Sequence, residues 1–470
     1  MDKGHDKTIV IIGGGIGGMA ALHCLKRKYA ADHGVRVMLL EASGRAGGTI
    51  ETTAEDGFTF EAGPNGFLDS KPRTRQFISE IGLERQQVEA DESAKKRFIC
   101  SEDKLYELPA SPADFFKFPL LTVTDKLRVL GEFFIGRGRS GCETIYDFGY
   151  RRFGKRFTDI FLDSMVSGIF AGDTKKLVLK SAFPRLAELE QKFGSLFLAQ
   201  FALRKGKKNH PVGSPQGKLC SFQYGMGEVI GKLYSHYWQD VKLNVKVTSV
   251  RKDPVGYTVF AGHERIRADA VIGAAPAYSL APVFLPMDAE ISAHLEKITY
   301  APVGVVGLGY DNYALPAIPR GFGYLIPSQD NKEVLGVLFE HNIFPARFPK
   351  YHAFFRVMIG GARRPEVAHY HGGEIEEIAK TELKYTLGIT AAPRKTFVKI
   401  WPRAIPQYDC AHEEARKVIT EQLGKYPGVH FAANFWNGIS FNDCIENAYQ
   451  IAQAIELGNF KPAPMNAQPA

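Results

Sequence analysis

The chain of 470 residues is 45% hydrophobic and 23% charged, proportions that exclude disordered and fibrous classes and leave room for about three domains. Lys and Arg exceed Asp and Glu by 8, and that whole excess falls in residues 111–210, where 18 basic face 10 acidic residues beside 14 of the 33 phenylalanines. No apolar run reaches the roughly 18 residues that span a bilayer, and the early run at 9–12 is too short for a signal-peptide core, so the expected location is the cytoplasm.

In chain order, the first predicted element is a β-branched strand over residues 8–12 that ends in G-x-G-x-x-G. Gly13 allows the turn, Gly15 lets a pyrophosphate approach the backbone, and Gly18 lets a helix from Met19 to Tyr29 pack on the strand. Around Ile16 and Gly17 the free N–H groups of the helix start are placed to meet phosphate. A second strand over 35–40 ends in Glu41, a carboxylate suited to ribose hydroxyls. The next residues include Ala42, Arg45, Gly47 and Gly48: the arginine can neutralise phosphate charge, and the glycines admit the chain close to a cofactor.

Beyond the basic, Phe-rich region, strands are expected over 241–247, at 258–259 and over 268–273, the last running into Ala274. Residues 291–404 alternate strands (303–310, 334–339, 354–359) with a helix from Glu374 to Leu387. A buried strand over 429–434 leads through Gly438 to a closing helix from Asp443 to Leu457, and the chain after Phe460 reads as a loose tail. The six cysteines contain no C-x-x-C pair and read as reduced, mostly buried thiols; His369 and His371 read as loop residues, and no metal site is expected.

The E-x-x-x-R-x-G-G run from Glu41 to Gly48 resembles the segment after the second strand in the glutathione-reductase-like amine oxidase and protoporphyrinogen oxidase superfamily. Four further segments resemble the protoporphyrinogen oxidase family, which includes bacterial coproporphyrinogen oxidases: residues 168–173 with 182–186, 321–327, 401–408 and 442–446. What the resemblance implies is an α/β chain with a Rossmann-like FAD-binding domain of the glutathione-reductase/amine-oxidase type, an α+β substrate domain and a helical membrane-associating insertion. The FAD-binding domain would comprise residues 1–93, 211–290 and 426–470 with the tail, the substrate domain 94–110 and 291–425, and the insertion 111–210.

The implied cofactor is FAD, held without a covalent bond by the two N-terminal motifs together with Gly63, Pro64, Val247, Ala274, Trp401, Asn434, Gly438 and Ile439. The Gly-Asp pair often found at the flavin in relatives is absent at Asn434. The implied activity is oxidation of protoporphyrinogen IX to protoporphyrin IX in heme synthesis, by successive two-electron transfers to flavin with oxygen as acceptor. Alternatives are coproporphyrinogen III oxidation, another amine-oxidase-like flavoenzyme, or a nucleotide-fold binding protein without redox chemistry. Pyrroles flanking the reacting carbon stabilise the cation left by hydride loss, so no general base is needed and the protein mainly positions the substrate. Arg97 falls where the family binds a propionate; Phe322, Gly323, Leu325 and Met358 fall where it lines the macrocycle cavity. The insertion is expected at the cytoplasmic membrane surface through 114–121 and 196–203, the latter followed by the basic run 204–208. No nucleic-acid motif occurs; neighbouring heme-pathway enzymes and a second copy of the chain are the expected protein partners.

Overall fold

The computed structural model describes residues 7–138, 141–205 and 217–456. Residues 206–208 of the basic run, Leu457 and the tail after Phe460 lie outside the described residues.

Pieces distant in sequence build the first layer. Strands Lys7–Ile12 and Val35–Leu40 pair in parallel, Ala270–Gly273 pairs on the other side of the first, and Val429–Phe431 joins beyond it; Val241–Lys242 closes the opposite edge of a five-stranded sheet. The strand interiors are continuous apolar runs because both faces are covered. On one face Ile9, Ile11 and Leu39 meet helices Ile16–Lys28, Gly227–Tyr237 and Phe441–Ala454; on the other Val10, Met38 and Val271 meet a smaller three-stranded sheet and helices Ala277–Phe284, Ala289–Glu296 and Cys410–Leu423. The strand expected over 241–247 is broken. Asn244 adopts a positive φ of 58°, so the chain leaves the parallel sheet after Lys242 and begins the smaller sheet at Val247. Ile291, Leu295, Ala415 and Ile419 sit in the parallel sheet's core, so the expected substrate boundaries at 291 and 425 enclose two helices that pack with the dinucleotide layer instead.

The second layer is a seven-stranded mixed sheet in the order Lys395–Pro406, Tyr300–Asp311, His352–Gly360, Val334–Phe339, Gly323–Leu325, Phe98–Ser101, Lys104–Glu107. One face, with Tyr324, Val337, Val357 and Val306, is covered by Ile375, Ala379 and Leu383 of helix Gly372–Leu387. Its other face turns toward the parallel sheet. Side chains alternate across a strand, so register partners share a face; Leu325, Gly336, Met358, Val305 and Lys399 therefore form one row across that inner face.

Between Glu107 and Leu219 the described chain is helical. Its centre is polar as well as apolar: Arg152 is fully buried and bridges Glu132 at 2.8 Å and Glu190, while Arg151 meets Glu190 at 2.8 Å and Glu143. A buried arginine left without one of these carboxylates would be an uncompensated charge, a loss of about 3–5 kcal/mol. Asp163 ties this helical unit to the large sheet, accepting from Arg363 at 2.6 Å and from the Ser328 amide at 2.8 Å.

Candidate active site

The glycine-rich turn is shaped by contacts that no other residue allows. Gly13 has φ +110°; a Cβ on Gly17 would lie 1.9 Å from the Ala432 carbonyl oxygen, and one on Gly18 would lie 2.0 Å from that of Gly13. A Cβ on Gly15, by contrast, would meet nothing within 4 Å. Gly15 is thus the one open position in a closed turn, and it is also the N-cap of helix Ile16–Lys28, where no side chain caps the free amides. That combination is a cradle for a diphosphate.

From this cradle a chain of close contacts runs to the large sheet. Gly15 bridges to Gly47, whose amide donates to the Gly14 carbonyl at 2.8 Å, and a Cβ on Gly48 would lie 3.2 Å from the Gly15 Cα. A Cβ on Gly63 would lie 1.9 Å from the Thr49 carbonyl, so the Ala62–Pro64 backbone is stacked on this second turn. Trp401 Nε1 donates to the Ala62 carbonyl at 2.7 Å, and Arg356 donates to the Gly63 carbonyl. Trp401, two residues from Lys399 on the same strand, shares the inner face with Met358 and Leu325. The dinucleotide turn and the row of apolar side chains are the two ends of one continuous structure.

The structure gives several expected cofactor residues tasks within the chain. Glu41 accepts from the Gly14 amide at 2.6 Å and from the Ser43 amide and hydroxyl at 2.8 and 2.7 Å, fixing the glycine turn to the second strand. Arg45 donates to the carbonyls of Gly48 and Ile50 and to Glu51 at 2.6 Å, and Glu51 also holds Lys399 at 2.7 Å. Arg45 thus shapes the Gly47–Gly48 turn and links it through Glu51 to the seven-stranded sheet. Ala42 is exposed beside it, Val247 is buried at the start of the small sheet, and the Ala274 amide donates to Ile12 at 2.8 Å. Pro64 is half-buried in the loop that Arg356 holds.

At the C-terminal end, Tyr408 joins two expected contacts. Its hydroxyl donates to the Asn434 carbonyl at 2.5 Å and accepts from the Gly438 amide at 3.0 Å, and its ring stacks on His412 at 4.2 Å. Burial lowers the His412 pKa to about 4, so this histidine is a neutral spacer. Ile439 packs against the helical unit. Helix Phe441–Ala454 follows, its start closed by a reciprocal Ser440–Asp443 cap.

The substrate-side residues gather at one end of the inner face. The Arg97 guanidinium carbon lies 4.8 Å from the Phe322 ring centroid, and no carboxylate pairs with it among the described residues. Partial desolvation lowers its pKa, but a guanidinium keeps its charge in proteins. Phe322 and Met358 both pack on the cluster of Ala94, Leu338, Ile343 and Phe344. Gly323 has φ +132°, and a Cβ there would lie 2.0 Å from the Val337 carbonyl, which makes it a positioning residue for the strand. Leu325 touches Gly168 of helix Asp163–Phe170, where a Cβ would lie 2.9 Å from the leucine methyl, so the helical unit closes one wall. The sequence reading assigned no task to Tyr408, Arg356, Glu340 or Lys399. Arg356 meets Glu340 at 3.7 Å in a fully buried pair, and Glu340 accepts from Asn65 at 3.1 Å. For Arg356 and Lys399 the signal available was a charge inside an otherwise apolar strand.

A dinucleotide cradle joined to a second sheet, with Arg97 at the end of its largely apolar inner face, has the architecture of a dinucleotide-dependent oxidoreductase. The chain belongs to the flavin containing amine oxidoreductase family, whose profile matches residues 16–456. It is 30% identical to the chloroplastic protoporphyrinogen oxidase of Oryza sativa subsp. japonica over 95% of this chain and 87% of that protein. It is also 27% identical to the coproporphyrinogen III oxidase of Bacillus subtilis over 94% of this chain and 96% of that one. Among solved structures, a protein of Exiguobacterium sp. 255-15 provisionally named protoporphyrinogen oxidase superposes with a TM-score of 0.82 at 22% identity, covering 96% of this chain and 99% of its own, a likeness of fold.

Proposed function

We propose that the protein oxidises protoporphyrinogen IX to protoporphyrin IX for heme synthesis by successive two-electron transfers to FAD, with oxygen as the final acceptor. The observation that carries this reading is the unpaired Arg97 guanidinium held on Phe322 at the end of an apolar row, an arrangement that matches a flat macrocycle bearing carboxylates. The open Gly15 cradle and the close-packed turns at Gly48 and Gly63 fit a flavin dinucleotide, which the Gly13–Gly18 turn would hold by its phosphates. When bound, the flavin supplies the hydride acceptor. The chain's residues do the rest: Arg97 anchors a propionate, Phe322, Leu325 and Met358 exclude water and orient the ring, and Arg356 and Trp401 fix the Ala62–Gly63 backbone that packs on the Gly47–Gly48 turn. Binding energy far from the reacting carbon is spent on placing it.

The likeness to the Bacillus subtilis enzyme favours a second reading, coproporphyrinogen III oxidation. Oxidation of both porphyrinogens side by side, read by porphyrin fluorescence, separates them. Turnover of neither would remove the proposal.

Membrane lipid is the proposed partner of the helical unit, through exposed side chains of the expected segment 196–203 joined to a stripe that begins just after the expected segment 114–121. Within 114–121, Phe118 and Leu121 are buried and only Phe116, at 51%, is an exposed large apolar side chain. The exposed stripe lies on Val123, Leu127, Leu130 and Phe134, spaced by about one helical turn, with Phe134 91% exposed. Phe133 stacks on Phe197 at 5.1 Å, which joins this stripe to Leu198 and Phe201 of the neighbouring helix. No described helix is long and apolar enough to cross a membrane, and an exposed patch of this kind suits insertion into a headgroup layer. Docking of a neighbouring heme-pathway enzyme or a second copy on the same unit is an alternative occupancy.

A further inference from the structure

The small antiparallel sheet of the dinucleotide layer, strands Val247–Lys252, Tyr257–Ala261 and Glu264–Ala268, has one face in the core and one in solvent. Val250, Val259 and Ile266 turn inward. Register then fixes the outer face: Arg251, Thr258 and Arg267 form one row, and Ser249, Phe260 and Arg265 the next. Arg251 and Arg265 lie over the Phe260 ring, with guanidinium carbons 5.1 and 5.6 Å from its centroid. Together with Asp253 these residues line an open depression of about 360 Å³.

All three arginines are exposed, and none makes an ion pair among the described residues. Of the nearby carboxylates, Glu264 pairs with Lys242 at 3.2 Å, and Asp253, at the edge of the depression, accepts from the Thr258 hydroxyl, so one negative charge faces three positive ones. Three guanidiniums on one face repel each other, and a guanidinium stacked on an aromatic ring keeps its in-plane N–H donors directed outward for bidentate contacts. The Phe260 ring thus lowers the cost of ordering Arg251 and Arg265 before any ligand arrives.

We propose that this face binds a small anion carrying two or more oxyanion groups, at a site separate from the dinucleotide cradle and the substrate sheet. The shared chemistry is the bidentate oxyanion, supplied either by linked phosphates or by a polycarboxylate. Core-facing Val247 keeps its place because the bulge after it offsets the strand.

Titration calorimetry of the full-length, flavin-loaded protein at low salt tests this, with inorganic pyrophosphate in one arm and citrate in the other. Saturable binding of at least one anion is expected, weakening as salt rises. The Arg251→Ala/Arg265→Ala double variant should bind at least about ten-fold more weakly, the scale of one lost charge-assisted contact, with flavin absorbance unchanged. Phe260→Leu keeps all three charges but removes the stacking platform, and should show an intermediate loss. Preference for pyrophosphate assigns a phosphate ligand, and equal or stronger citrate binding assigns a carboxylate. Binding of neither anion, or equal binding by the wild type and the double variant, overturns the proposal.

Discussion

At the residue scale the arrangement rests on single side chains with separable tasks. Arg97 meets a ring and no carboxylate, so Arg97→Ala is expected to spare flavin binding and to lower kcat/KM by roughly ten- to two-hundred-fold, the equivalent of about 1.5–3 kcal/mol for a charge-assisted bond. Lys at this position keeps the charge without the planar fork and should recover part of the loss. Steady-state kinetics checks both, and normal kinetics in the alanine variant would make Arg97 an exposed surface cation like its neighbours Lys95 and Lys96. Tyr408 joins Asn434 to Gly438 through one hydroxyl. Tyr408→Phe removes both bonds at about 1 kcal/mol each; flavin should then be lost on gel filtration more readily than from the wild type, while the melting temperature falls only slightly.

At the element scale, the start of helix Ile16–Lys28 tolerates no bulk where it meets the strand after Phe431. A Cβ on Gly17 would overlap the Ala432 carbonyl at 1.9 Å, and both atoms belong to packed backbone. Gly17→Ala is accordingly expected to give protein without the yellow chromophore, and retention of full flavin absorbance would show that the turn can shift. Val123, Leu127, Leu130 and Phe134 present their side chains on the surface of the helical unit. Val123→Asp/Phe134→Asp should weaken flotation with anionic vesicles and leave thermal stability nearly unchanged, because exposed substitutions rarely cost more than about 0.5 kcal/mol. Flotation equal to that of the wild type would move the lipid contact elsewhere.

At the scale of the whole molecule, two buried histidines couple stability to pH. Burial lowers His412 and His430 to a pKa of about 4, below their unfolded value near 6.5. Both are neutral in the native chain, so between those pH values the unfolded state binds more protons and stability is lost as pH falls. The loss is on the order of 3 kcal/mol per histidine at about 1.36 kcal/mol per pKa unit, complete near pH 4. Urea midpoints measured from pH 7 to pH 4.5 should fall steadily, and His430→Leu should flatten the slope. A flat wild-type profile would mean that water reaches these rings. Acid precipitation should also release the flavin, because no Cys or His sits in an attachment motif for its ring.

The strand–glycine–helix start, the acidic end of the second strand and the apolar strands of the large sheet were legible in the sequence. Each is set by neighbours within a few residues: Gly15 is open and Gly13 has positive φ because of the turn they occupy, and period-two or continuous apolar runs follow directly from burial. Arg97 and Phe322 could be singled out but not brought together, since their contact depends on Phe98 pairing with Tyr324 across more than half the second layer's chain order. The same reason hid Arg356 and Tyr408, whose partners Gly63 and Asn434 are distant in sequence. The basic, Phe-rich composition of the helical unit was plain, yet which phenylalanines face solvent was decided by tertiary packing. Phe118 and Phe134 have the same chemistry, and only the helices around them buried the first and left the second exposed.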